Sequence, residues 1–134
     1  MAVASGPNTL PVMTVTLNAA EDLSSNQFYG VAISGDRAVD LVDGVTDRPV
    51  GILQNKPTSG QDAEIIVIGK VKIIATETIS AGDQIRIHSD GKAAIFAPDT
   101  DSTAYCIGQC TLGADASELI EAIISCTALD RGEE

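Results

Sequence analysis

The side chains in this sequence that could carry chemistry are few and poorly placed for it. One histidine, His88, follows Ile87 in an alternating run that also contains Arg86. In a strand that parity puts His88 and Arg86 on one solvent-facing side. Three cysteines, Cys106, Cys110 and Cys126, could complete a metal site only by converging on His88. Structural zinc sites show paired short ligand spacings, which are missing here, so the cysteines read as small core thiols and no metal is expected. A Cys–His nucleophile pair needs only proximity in space, and no spacing argues for one. The carboxylates are plentiful but sit in turns, where Asp serves the backbone. There is no EF-hand loop, no GxGxxG and no P-loop. The expectation is no enzyme and no cofactor.

Charge excludes further classes. Nineteen acidic residues against eight basic ones give a net charge of −11. Such a surface repels the phosphates of nucleic acid and of anionic membranes. Two Phe, two Tyr and no Trp leave little for stacking bases or sugars. No apolar stretch approaches the ~18 residues of a membrane span. Residues 1–7 lack a basic start and a continuous apolar stretch, so no secretory signal is expected. The odd cysteine count fits a reducing compartment.

The elements must come from what is abundant. Ile (15), Val (10) and Thr (11) make 36 of the 134 residues, and branching at Cβ favours strands. The fold class expected is all-β, a small β-sandwich or barrel-like domain with an extended N-terminal arm. Residues 1–11, with Pro7 and Pro11, form the arm; residues 12–129 form the single β domain; residues 130–134 form a charged tail. Met13, Val15 and Leu17 alternate with Thr14 and Thr16. A polar loop follows over residues 18–27, with Asp22 or Ser24 able to cap one helical turn. Strands are expected around Tyr29–Ile33, Val39–Leu41, Pro49–Gln54 and Ala63–Ala75, the last interrupted by a bulge or bend at Gly69. Ile79–Asp83 reads as a tight turn. Asp90-Gly91, between Ile85–His88 and Ala93–Phe96, reads as a type I′ hairpin with both central residues at positive φ. Residues 98–103 form a polar loop, and Tyr105–Gln109 another strand.

Residues 115–126 admit two readings. Asp115 could cap a helix with Leu119, Ile120, Ile123 and Ile124 on one face, or Leu119–Cys126 could be the last strand. An internal echo favours the strand. Val50-Gly-Ile-Leu-Gln followed by Ala63-Glu-Ile-Ile-Val resembles Cys106-Ile-Gly-Gln-Cys followed by Glu118-Leu-Ile-Glu-Ala, as two hairpin-like units would.

An ordered set of segments over residues 28–128 resembles the head-decoration, or capsid cement, proteins of tailed bacteriophages. The set runs Pro49-Val-Gly-Ile-Leu53, then Ala63–Val71 with its Gly69, then Ile79-Ser-Ala-Gly-Asp-Gln-Ile85. It continues through Ser89-Asp-Gly-Lys-Ala-Ala94 and Ile107-Gly-Gln109 to Ala116-Ser-Glu-Leu-Ile-Glu121. The resemblance implies a non-enzymatic virion protein on the outer surface of the expanded capsid, assembled in the host cytoplasm. It implies a homotrimer at three-fold and quasi-three-fold positions that clamps neighbouring major capsid subunits. No family residue roles carry over. From the arm itself, Pro7, Leu10, Pro11 and Val12 are the expected contacts to capsid or neighbouring protomer, with Leu10 and Val12 as anchors. The alternative is a β-clip-like module binding a small ligand or carbohydrate, which would require a deep pocket with convergent polar groups. An enzyme would require a pocket around His88.

Overall fold

The β-branched runs form nine strands among the described residues. They are β1 (Leu10–Ala19), β2 (Gly30–Gly35), β3 (Ala38–Leu41), β4 (Pro49–Leu53), β5 (Asp62–Ile74), β6 (Gln84–Ile87), β7 (Ala93–Ile95), β8 (Gly108–Leu112) and β9 (Leu119–Ser125). The computed structural model describes residues 7–44, 47–97, 104–127 and 129, and none of them is helical. The expected all-β class is what the chain adopts. Residues 1–6 of the arm, the loop 98–103, residues 45–46 and the tail 130–134 lie outside the described residues.

The strands form one sheet in the order β1-β3-β2-β4-β5-β9-β8-β6-β7, and β1 also pairs with β5. That extra pairing closes β1, β3, β2, β4 and β5 into a small ring, the barrel-like element. The long strand β5 belongs to both halves of the molecule. Ile66 pairs with Thr14 of β1 and Ile52 of β4, while Lys70 pairs with Leu10 of β1 and Ile123 of β9. So β4 and β9 follow one another along one edge of β5, and β1 runs along the other. A parallel bridge from Ala75 to Ala93 brings the chain beyond β5 back to β7.

Inward positions carry the aliphatic core. Val71 and Ile73 of β5, Ile120, Ala122 and Ile124 of β9, Ile85 of β6 and Val31 of β2 are fully or almost fully buried. Removing such side chains from water is the main favourable term in folding, at about 25 cal/mol per Å² of apolar surface. The echoed segments are indeed paired antiparallel strands, β4 with β5 and β8 with β9. The first strand of each pair holds a glycine pressed against its partner's backbone: a Cβ on Gly51 would strike the Ile66 carbonyl, and one on Gly108 the Ile123 carbonyl.

Residues 119–125 are strand β9, the reading that the internal echo favoured, although the capping signal is real. The Asp115 N–H donates to Glu118 Oε1 at 3.0 Å, but Ser117 at φ 69° turns the chain out of helical geometry. The Asp90-Gly91 hairpin is not type I′. Only Gly91 has positive φ (83°), its N–H donates to the His88 carbonyl, and the His88 N–H donates to that of Lys92. This is the three-residue loop in which the third residue is left-handed. Asp22 caps no helix; its Oδ1 accepts the Ser24 N–H across a turn that buries Leu23. Gly69 adopts φ 134°, yet β5 pairs with β9 without interruption across it. The extra residue lies opposite, at Val12 of β1, and a second register shift follows at Val67. These shifts also move Met13, expected beside Val15 and Leu17, to the outer face, where it is 43% exposed.

Candidate functional site

Directly opposed residues of antiparallel neighbours share a face, so the registers define what the sheet shows to solvent. Leu10 of β1, Lys70 of β5, Ile123 of β9 and Gln109 of β8 form one transverse row. Met13, Ile68 and Ser125 form the next, and Lys72, Glu121 and Leu112 the one beyond. Val12 lies in the bulge beside the first row, 77% exposed, with Leu10 at 67% and Ile123 at 56%. Four of the six large exposed apolar side chains among the described residues, Leu10, Met13, Leu112 and Ile123, thus share one side of β1-β5-β9-β8; Val12 lies in the bulge beside them, and the sixth is Ile33. Beside Ile123 the face dips into an open trough of about 640 Å³ floored by Ile107, Gly108 and Gln109.

The bulge at Val12 is what brings both Leu10 and Met13 to this face. Without the extra residue, Leu10 and Met13 would have opposite parity and one would point inward. Gly69 permits the crowding, since a Cβ there would lie 2.6 Å from the Leu10 carbonyl oxygen and 2.8 Å from the Val12 nitrogen.

A buried carboxylate anchors this face. Glu121 is only 6% exposed although it shares the outward parity of Ile123. The Thr111 hydroxyl donates to its Oε1 at 2.5 Å, the Asn8 N–H to its Oε2 at 3.2 Å, and Lys70 Nζ stands 3.6 Å from Oε1. The Thr111 hydrogen bond first, then the Asn8 N–H and the Lys70 charge, hold the Glu121 carboxyl below its ordinary range against the opposing effect of burial. The chain preceding Leu10 therefore turns across β5 toward β9 and is tied there.

Of the residues expected to make contacts, Leu10, Pro11 and Val12 lie at the start of β1, and Pro7 is half-buried just before it. Leu10 and Pro11 are not a free arm, because their backbones pair with Lys70 and Gly69 of the same chain. Sequence reasoning did not single out Met13, Leu112, Ile123 or Glu121. The parity of Glu121 and Ile123 within Leu119–Ser125 was the available signal.

The candidate chemical groups stay apart. His88 sits in the β6–β7 hairpin, its Nδ1 3.3 Å from Asp90 Oδ1. Burial pushes all three thiols up, Cys126 to about 12, which is the opposite of an activated nucleophile. Asp40, Asp43 and Asp47 lie near one another; burial and then Glu21 raise the Asp40 carboxyl, while a shared hydrogen bond with Asp47 raises that of Asp43. Among the described residues no group of three or more His, Cys, Asp or Glu could hold a metal ion.

Three comparisons bear on this face. No curated protein matches the chain. Among solved structures, the head fiber gp8.5 N base of bacteriophage phi29 is similar, with a TM-score of 0.64 and 19% identity over 89% of this chain and 98% of that one. At that identity the likeness concerns the fold alone. The family model for phage cement proteins matches residues 7–124, from the tied N-terminal segment into β9. The chain belongs to the phage cement protein family.

Proposed function

We propose that the chain, whose family carries a structural role associated with the phage capsid, binds the outer surface of the expanded capsid and clamps neighbouring major capsid subunits, as a homotrimer at three-fold and quasi-three-fold positions. It performs no catalysis, requires no cofactor and joins particles assembled in the host cytoplasm.

The observation that supports this reading is the apolar face of β1-β5-β9-β8. Exposed aliphatic side chains gathered on one face, here interspersed with Lys70, Gln109 and Ser125, mark a surface that another protein covers. The face is preformed on paired strands, so docking freezes few side chains and little backbone. Leu10 and Val12 act here as side-chain anchors from a strand already paired, with Pro7 before them and Pro11 between them. The net charge of −11 supplies long-range attraction to basic patches on a shell. The small-ligand alternative calls for an enclosed pocket with converging polar groups, whereas the hollow beside Ile123 is open.

Mixing the chain with expanded and with unexpanded shells, then sedimenting, tests this. Co-sedimentation with expanded shells alone is expected, at a multiple of three copies per junction and weakening as salt is raised. Failure to sediment with expanded shells contradicts the proposal.

A further inference from the structure

Among the described residues, β1 has a neighbour on one side only from Leu10 to Leu17. Its pairs with β5 run from Leu10 opposite Lys70 to Asn18 opposite Asp62, whereas β3 reaches it only at Asn18 and Ala19. That leaves about 26 Å of open edge at a rise of about 3.3 Å per residue. Every other strand among the described residues is flanked. β2, β4, β6, β8 and β9 each lie between two strands, and β3 lies between β2 and β1. β7 is covered by the Ala75–Ala93 bridge and by Glu77 Oε2, which accepts the Ile95 N–H at 2.9 Å.

Open edges are ordinarily blunted by charge, Pro or a bulge, because their unpaired N–H and C=O groups recruit other strands. β1 has no charged residue, and its Pro11 and Val12 bulge lie at one end. Residues 13–17 have no such protection. An uncharged edge of that length is a liability for a free protein and an asset for one whose working state covers it.

The number of edges argues for the occupant. Three-fold pairing between copies needs two complementary open edges per chain, and the described residues offer one. Copies could pair β1 to β1 only about a two-fold axis. The occupant that fits a three-fold assembly is thus a strand from a different polypeptide. Charge specifies it further. Beside the edge lies a hollow of about 270 Å³ whose walls include Thr14, Thr16, Gln54 and Glu64. Glu64 is the charged residue lining that hollow, and no Lys or Arg precedes Arg37 in the chain.

We propose that an extended segment of the capsid subunit, bearing a Lys or Arg that reaches Glu64, pairs with residues 13–17 as an added strand. The proposal rests on the capsid-docking reading and specifies how one contact is made. Backbone hydrogen bonds supply affinity, and the hollow selects the side chain.

Hydrogen exchange of the full chain, free and bound to expanded shells, tests it, alongside a photo-crosslinking residue at Thr16. In the free chain, the amides of residues 13–17 that point away from β5 exchange fast; on shells they slow by about 100-fold or more. The crosslink is expected on a capsid-subunit peptide, and Glu64→Lys is expected to weaken retention about tenfold with an unchanged unfolding midpoint. Retention on shells with these amides still fast, or a crosslink to a second copy, overturns the strand while leaving the docking reading intact. So does slow exchange already present in the free chain, which would mean that the chain covers its own edge. Unchanged retention of Glu64→Lys overturns the basic partner. No retention of the unaltered chain overturns the docking reading and this one together.

Discussion

The two strands that flank the end of β5 differ sharply. β9 is paired on both sides, with β5 and β8, and its inward side chains Ile120, Ala122 and Ile124 are at most 2% exposed. β1 is paired along one side, and its first four residues are all exposed. Both are rich in aliphatic residues, so hydropathy alone does not separate them. Neighbours do: apolar groups that sheet partners cover stabilise the fold, and those left uncovered are available to another protein. β9 is a strand for folding and β1 a strand for contact.

Substitutions in the two strands should therefore fall into two classes. The largest stability loss is expected at Ile120, which is fully buried opposite Ile73. Ile120→Ala should cost about 4 kcal/mol in denaturant unfolding, as buried large-to-small changes do. Gly108→Ala should cost about 3 kcal/mol, because the added methyl meets the Ile123 carbonyl, which sheet pairing holds in place. A cost near zero for either would mean that β9 is not the rigid flank described.

Glu121 joins the two strands, and its effect should be intermediate. Glu121→Ala removes the carboxylate that accepts from the Asn8 N–H and the Thr111 hydroxyl, leaves the hydroxyl its bond to the residue-121 carbonyl, and should cost about 1 kcal/mol. The pH dependence has a definite sign. Because the folded-state carboxyl is held below its ordinary value, its contribution is present above the unfolded-state pKa and is lost as pH falls through the folded one. The unaltered chain should lose this contribution below about pH 4, and the variant should show a flatter acid limb. Asp40 runs the other way. Its carboxyl is raised, so its unfavourable effect grows as pH rises, and Asp40→Asn should stabilise at neutral pH by a few tenths of a kcal/mol, roughly the scale of exposed charge interactions.

Much of the fold was legible because period-two alternation of Ile and Val marks strands whatever their neighbours. The turn at Ile79–Asp83 is as expected, with Gly82 at φ 96° and the Ser80 N–H donated to Asp83 Oδ2 at 2.9 Å. The echo between β4–β5 and β8–β9 favoured strand over helix for residues 119–125, where β9 stands. Illegible parts depended on long-range register. The Val12 bulge lies opposite Gly69, 57 positions further along the chain, and a second shift at Val67 separates the register of Met13 from that of Thr14, so local alternation did not show that Met13 is exposed. The docking face is likewise assembled from Leu10, Ile123 and Leu112, whose adjacency exists only through β5 and β9. Leu10 and Val12 stood out because apolar residues close to Pro7 and Pro11 have no evident core to join. Ile123 did not, because in sequence it looks like Ile120 and Ile124.

The contact strand should tolerate what the folding strand does not. Leu10→Ser with Val12→Ser should shift the unfolding midpoint by no more than about 0.5 kcal/mol equivalent, since both side chains already face water. Occupancy of this double variant on expanded shells, measured beside its unfolding midpoint, is the most direct test. The expected result is occupancy reduced at least about tenfold, or about 1.4 kcal/mol in binding, with stability unchanged. Full occupancy at unchanged stability would contradict the assignment of this face to the capsid.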